Sequence, residues 1–179
     1  MLFLSSHDAT AQNVTYASNT VNISIADVIG IVDAANNQID AFTEATAYNM
    51  GAVSFEYPDA ASYNSPQTES SGSFNVSAST PFRVDVRTTA ATFTSGTVQA
   101  TIPVSVLEIN GTADPAVTIT PIAAGALSTS YQQFATGGTG QVMNIAPTYT
   151  IPAAQAQANI FGKPDGTYSV DVIYQVSAQ

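Results

Sequence analysis

Residues Gly166 to Ser177 read Gly-Thr-Tyr-Ser-Val-Asp-Val-Ile-Tyr-Gln-Val-Ser. Tyr168, Val170, Val172 and Tyr174 fall at every second position, with Ser169, Asp171 and Gln175 among the residues between them. A helix repeats every 3.6 residues, whereas a strand with one buried and one wetted face repeats every two. The stretch follows Lys163-Pro-Asp-Gly166, a turn signal in which Pro presets φ and Gly accepts a positive φ. It is expected to be a long strand that closes a β-sheet.

Composition extends that expectation to the whole chain. Leu occurs only at positions 2, 4, 107 and 127, while Val, Ile, Thr, Tyr and Phe are plentiful. These abundant types fit a pleated, half-buried surface, and the scarcity of Leu, Glu and Lys weakens any all-α reading. A chain of 179 residues suits one domain, large enough to bury about 70% of its unfolded surface. The fold class read from the sequence is all-β, an immunoglobulin-like or jelly-roll-like antiparallel β-sandwich with room for one short helix.

Charge removes several functions. Arg83, Arg87 and Lys163 face thirteen acids, for a formal net charge of −10. Nucleic acid and anionic membranes call for clustered Lys and Arg, which this chain lacks. No run approaches the ~20 apolar residues of a membrane-spanning helix. Cysteine is absent, so disulfides, thiolate metal sites and cysteine nucleophiles are excluded. Near the N-terminus, Leu2-Phe-Leu4 and then Ala9-Thr-Ala11 resemble the end of a secretory leader with an A-x-A cleavage site, although a basic n-region is missing. Residues 1–11 are therefore read as a leader remnant or flexible tail, and the protein as secreted, extracellular or on the cell surface.

Along the chain, strand and turn signals alternate. Val21, Ile23 and Ile25 alternate, Asp27 to Val32 is a short apolar run, and Ala34 to Gln38 reads as a loop. Strands are expected at Met50–Tyr57, Phe74–Ala78, Phe82–Arg87, Val98–Ile109, Val117–Ile119, Tyr131–Phe134 and Val142–Ile151. Pro103 places an edge or bulge within the fourth of these. Ala60 to Gly72 is the longest polar connection, and Gly137-Gly-Thr-Gly140 reads as a hairpin or loop. Residues 152–161 have helix propensity, with Pro152 in a first-turn position and Gly162 as a stop. Many short strands at this spacing, without amphipathic helices between them, indicate a sandwich or barrel. The organisation is an N-terminal strand at 12–26 and a single β-sandwich domain at 27–179.

Groups with catalytic chemistry are scarce. His7 is the only histidine and lies in the presumed tail, so no Ser-His-Asp triad is available. Lys163 sits in a turn beside Pro164. Asp33 and Asp40, with Asn36 and Asn37 between, lack the order of a calcium loop. Asp85 and Asp171 are expected to face solvent or to pair with Arg83 and Arg87. The glycine run lacks the Gly-Lys-Ser/Thr of a phosphate cradle. Sequons occur at Asn13, Asn22, Asn75 and Asn110, matches that arise readily in a chain so rich in Asn, Ser and Thr. The reading is a non-enzyme with no catalytic residue, cofactor or metal.

From Ile151 on, the order Ile-Pro152, Gln155, Pro164, Gly166-Thr-Tyr168, then Val170, Val172 and Tyr174 resembles the C-terminal end of spore coat protein U-like domains, relatives of the chaperone–usher pilins. The segment Phe74-Asn-Val-Ser-Ala-Ser-Thr-Pro-Phe-Arg-Val-Asp-Val86 is similar to that family's early strand pair broken by Thr-Pro. The resemblance covers about a third of the chain. It departs in the missing cysteines and in a longer N-terminal extension. It implies an immunoglobulin-like sandwich that polymerises by lending a strand to its neighbour.

Physical chemistry allows such lending, because an open sheet edge accepts an extended peptide by β-augmentation. Val14, Tyr16, Val21, Ile23 and Ile25 form the candidate donor strand; the alternative is that this segment is the first strand of its own sheet. The expected function is a secreted structural subunit of a pilus-like or other extracellular filament. Its partner is itself, with a secretion or assembly chaperone as a further candidate. A second reading, a cell-surface adhesin, would grip glycan with Tyr48, Tyr57, Tyr63 and Tyr131. A third is a viral capsid or spike jelly roll.

Overall fold

The computed structural model describes residues 15–25, 48–78, 80–97 and 99–179. The elements are β1 (Thr15–Ile25), β2 (Tyr48–Glu56), β3 (Gln67–Ser70), β4 (Phe74–Ala78), β5 (Phe82–Thr88), β6 (Thr92–Thr94) and β7 (Thr101–Pro103). They continue with β8 (Glu108–Ala113), β9 (Val117–Ile119), β10 (Gln132–Gly137), β11 (Gly140–Ile151), α1 (Ala153–Asn159) and β12 (Gly166–Ala178). Among the described residues the strands make two sheets. The larger runs β2-β1-β12-β5-β10-β9, with β6 on β12 and β7 on β6; the smaller has β11 flanked by β3, β4 and β8. The fold is all-β and sandwich-like, with one short α-helix among the described residues.

Alternation explains which side of each strand is covered. In β12, Tyr168, Val170, Val172 and Tyr174 are buried, while Ser169 and Asp171 are exposed. In β5, Phe82, Val84 and Val86 point inward. The sheets meet through aromatic side chains: Phe74 of the smaller sheet packs 5.6 Å from Tyr174 of the larger, ring centre to ring centre. Phe134 meets Tyr174 from within the larger sheet at 5.4 Å, edge to face. Such offset and edge-on pairs are the favoured aromatic arrangements.

Three local features depart from the sequence expectation. The stretch expected as one strand over Val98–Ile109 is divided. β7 stops at Pro103, a 3-10 turn occupies Val104–Val106, and β8 begins at Glu108. Pro103 ends pairing because it has no N–H to give to a ladder. Of the hairpin and the loop expected at Gly137–Gly140, the structure has the loop: it carries the chain from β10 in the larger sheet to β11 in the smaller. A Cβ at Gly137 would run into the Phe82 ring, so this crossing needs the missing side chain. Within the polar connection 60–72, Ser62–Asn64 forms a 3-10 turn and Gln67–Ser70 pairs with β11.

The helix stands where propensity placed it. Pro152 precedes the first turn at φ −60°, and Gly162 leaves the helix end at φ +80°, a value costly for residues with a Cβ. The run Asp27–Val32, the loop 34–38, His7, Asp33, Asn36, Asn37 and Asp40 lie outside the described residues.

Candidate self-assembly site

β1 lies between β12 and β2. It is antiparallel to β12 without a break, from Thr15 opposite Val176 to Ile25 opposite Gly166. It is parallel to β2, from Ala17 beside Tyr48 to Ser24 beside Glu56. Take β1 away and two rows of backbone N–H and C=O groups stand open, one on each neighbour. A parallel pair cannot be joined by a tight turn. The 22 residues numbered 26 to 47 separate the two strands.

The side chains of β1 divide by parity. Ala17, Asn19 and Val21 are buried, and Ser18, Thr20 and Asn22 are half-buried. Opposite the buried three stand Tyr174, Val172 and Val170 of β12. On the other face the Thr20 hydroxyl donates to Asp171 Oδ1 at 2.7 Å, tying the two strands together. Asp171 is exposed, one of the two surroundings expected for it, and accepts this bond from a threonine. Asp85 does take an arginine: Arg83 Nη2 is 2.7 Å from its carboxylate and Arg83 Nε donates to it at 2.8 Å.

Asn19 is the residue that sequence reasoning missed. It is 1% exposed, and neither amide atom has a hydrogen-bond partner of ordinary geometry. Its neighbourhood is polar nonetheless. The hydroxyls of Tyr149 on β11 and Tyr174 on β12 share a 2.8 Å hydrogen bond inside the sandwich. Burial pushes the Tyr149 phenol up to about 12, while Tyr174, Asn19 and Ser71 pull it back to a smaller degree. Burial, followed by the neighbouring Tyr149, raises Tyr174 well above the usual phenol range. An amide in an inward row of apolar residues leaves no mark on the hydrophobic period, which is why alternation alone passes it over.

Beside Asn19 the pairing with β2 is irregular. Ser18 pairs with Asn49 but Thr20 with Ala52, so β2 carries an extra residue at this point. Gly51 takes φ +93° and its N–H donates to Asn49 Oδ1 at 2.9 Å. The Met50 carbonyl turns away to accept from Gly72 N–H at 3.1 Å. This is a bulge, which interrupts the ladder locally and bends the strand that carries it.

The expected donor residues are placed as follows. Val21 is in the core. Ile23 and Ile25 stand opposite Tyr168 and Gly166, and position 16 stands opposite Gln175, in the set that alternates with Ala17. Val14 lies outside the described residues.

The tyrosines of the glycan reading fall into different surroundings. Tyr57 and Tyr63 stack with ring centres 4.6 Å apart, and Phe161 meets Tyr63 edge-on at 5.2 Å. Both tyrosines are buried; Phe161, at 61% exposure, is the ring open to solvent. Tyr131 has the Arg87 guanidinium over its face at 5.1 Å. Tyr48 opens β2, with its backbone beside Ala17. The Tyr57 hydroxyl is buried without a partner, and burial raises its pKa. Replacing it by phenylalanine removes a desolvated group that gains nothing in return. Tyr57→Phe is expected to leave thermal stability unchanged or to raise it by up to about 1 kcal/mol. A clear loss in thermal denaturation would contradict that reading of the hydroxyl.

Among the described residues no three His, Cys, Asp or Glu side chains gather as a metal would require. No helix among them is long and apolar enough to cross a membrane. Compared with protein-family models and with curated proteins, the chain matches none.

Proposed function

We propose that the protein is a secreted structural subunit that assembles with copies of itself into an extracellular, pilus-like filament by donating β1 to a neighbour. The observation that carries this reading is the position of β1, inserted between β2 and β12 and separated from β2 by 22 residues. β1 has eleven residues and spans about 36 Å at ~3.3 Å per residue. Twenty-two residues fully extended reach about 70 Å, enough to return along the strand and enough to reach another molecule.

An identical strand from a second copy restores the same backbone ladders and the same three buried side chains. The exchange is therefore near neutral in contacts. Swapping an identical element is a low-cost route to association. Passed from each copy to the next, it is a heterologous contact, and one that does not close builds an open filament. The resemblance to spore coat protein U-like domains supports the same mechanism. A surface poor in charge and rich in Ser, Thr and Asn suits close packing of subunits.

Negative-stain electron microscopy of purified protein tests the proposal. Regular filaments are expected from the full chain. Compact monomers at high concentration, after refolding from denaturant, would overturn the filament reading.

A further inference from the structure

We propose that Asn110 and Gly111 form a site of spontaneous modification, at which the Gly111 backbone nitrogen closes on the Asn110 side chain and releases its amide as ammonia. The pair stands inside β8, although Asn-Gly ordinarily marks a tight turn. Packing explains the glycine: a Cβ at Gly111 would stand 2.6 Å from the Ala146 carbonyl oxygen of β11. Asn110 is exposed and Gly111 half-buried. The Gly111 N–H donates to Asn110 Oδ1 at 2.8 Å. The nitrogen and the side-chain carbonyl are therefore already in contact.

Strand alternation explains why that N–H reaches the side chain. In an antiparallel pair, residues that exchange backbone bonds alternate with residues whose N–H and C=O point away. The Asp114 N–H donates to the Asn144 carbonyl of β11 at 3.1 Å. Counting back by twos, Thr112 and Asn110 bond toward β11, whereas Ala113, Gly111 and Ile109 point away from it. Ile109 bears this out, exchanging bonds of 2.9 and 2.8 Å with Ile122 on the far side. Gly111 thus turns its N–H away from β11, and Pro147 opposite it has no N–H to give. What ties the Asn110–Gly111 peptide to β11 is its carbonyl, opposite Thr148.

The reaction needs only water. Hydroxide takes the Gly111 amide proton, and the nitrogen attacks Asn110 Cγ. The N–Cγ bond forms, the Cγ–Nδ2 bond breaks, and Nδ2 leaves as ammonia with a proton from water. Water then opens the five-membered imide. Opening at Cγ gives aspartate; opening at the backbone carbonyl gives isoaspartate, with the main chain rerouted through Cβ and Cγ. No atom changes oxidation state. Ring closure must turn the 110–111 peptide and break its bond to Thr148. A Cβ on the following residue would crowd that turn, and glycine has none. Groups held in contact react with little further ordering. The isoaspartate product lengthens β8 by one backbone atom between the Ile109–Ile122 and Asp114–Asn144 bonds.

The test uses the full chain, expressed in a host that adds no N-glycans because Asn110 also heads a sequon. Folded protein would be aged at mildly alkaline pH and digested for peptide mass spectrometry, with enzymatic methylation to count isoaspartate. Asn110 should convert at least about tenfold faster than Asn75, a factor equal to about 1.4 kcal/mol of barrier. Asn75 is an exposed asparagine of the same sheet, followed by Val76. The Asn110 rate should rise with hydroxide. Unfolding in urea should speed it by no more than about tenfold, the protection that one backbone hydrogen bond gives. Asn110→Gln, whose carbonyl stands one methylene further out, should remove isoaspartate from the peptide spanning position 110.

Equal rates at Asn110 and Asn75 would overturn the proposal, as would conversion confined to the urea-unfolded chain. Isoaspartate that forms undiminished in Asn110→Gln would overturn it too. The result does not depend on strand donation, since β8 keeps its place in the smaller sheet whichever chain supplies β1.

Discussion

Val21→Asp is expected to destabilise the domain by about 4 kcal/mol, the scale reached when an unpaired charge is placed in a core. Val21 is fully buried in the middle of β1, opposite Val170 on one side and Val53 on the other. The damage follows the strand wherever it is seated, so filament formation should fail together with folding stability. Asn22→Asp is the matched control: the next residue lies in the half-buried set of the same strand. Its effect is expected to stay within about 0.5 kcal/mol. Urea denaturation of both variants provides the measurement. Equal behaviour of the two would mean that β1 does not present its odd-numbered residues to the core.

The second large effect is alkaline. Burial raises the phenols of Tyr149, Tyr174 and Tyr57. An unfolded chain releases these protons near pH 10, while the folded domain holds them to higher pH. Below pH 10 both states are protonated, so these tyrosines leave stability independent of pH. Above it only the unfolded state ionises, and stability falls by about 1.4 kcal/mol per pH unit for each such tyrosine. For Tyr149, held up to about 12, the window runs from pH 10 to 12 and the loss is about 2.7 kcal/mol. Denaturation midpoints should therefore show no tyrosine-linked slope up to pH 10 and then drop steeply. Tyr149→Phe should make that drop shallower. A midpoint as high at pH 11.5 as at pH 9 would contradict the burial of these hydroxyls.

Much of the fold was legible because its signals are local. The alternation of Tyr168, Val170, Val172 and Tyr174 marked both a strand and its buried face, and all four are buried. Pro152 and Gly162 bracketed the helix because each restricts or frees φ at its own position. β3 was invisible for the converse reason: Gln67–Ser70 is polar throughout and largely exposed, so it is a strand only through pairing with β11. Ile173 falls between the alternating residues, yet it too is buried, standing in register with Ser18 and Arg87.

The candidate site was legible in part. Val21, Ile23 and Ile25 were chosen by their spacing, and the unbroken register of β1 puts them in one alternating set. Val14 and Tyr16 have the opposite parity, a conflict that spacing alone does not resolve. The parallel neighbour β2 and the bulge at Gly51 are tertiary facts, decided by which edges meet rather than by any run of residues. Asn19 lies beyond periodicity for a related reason. Its burial follows from the pairing of β12 and β2 on its two sides, and both strands are distant in the sequence.

Strand donation is tested most directly by mixing two chains, one carrying only Asn22→Cys and the other only Ser169→Cys. Positions 22 and 169 face each other across β1 and β12. The two chains, distinguished by a size tag, would be unfolded together, refolded at high concentration and oxidised. Donation of β1 requires a mixed disulfide dimer well above the dimers formed by either chain alone. Failure to form that dimer, while a single chain bearing both cysteines closes on itself as a monomer, would contradict donation and leave β1 a strand of its own sheet.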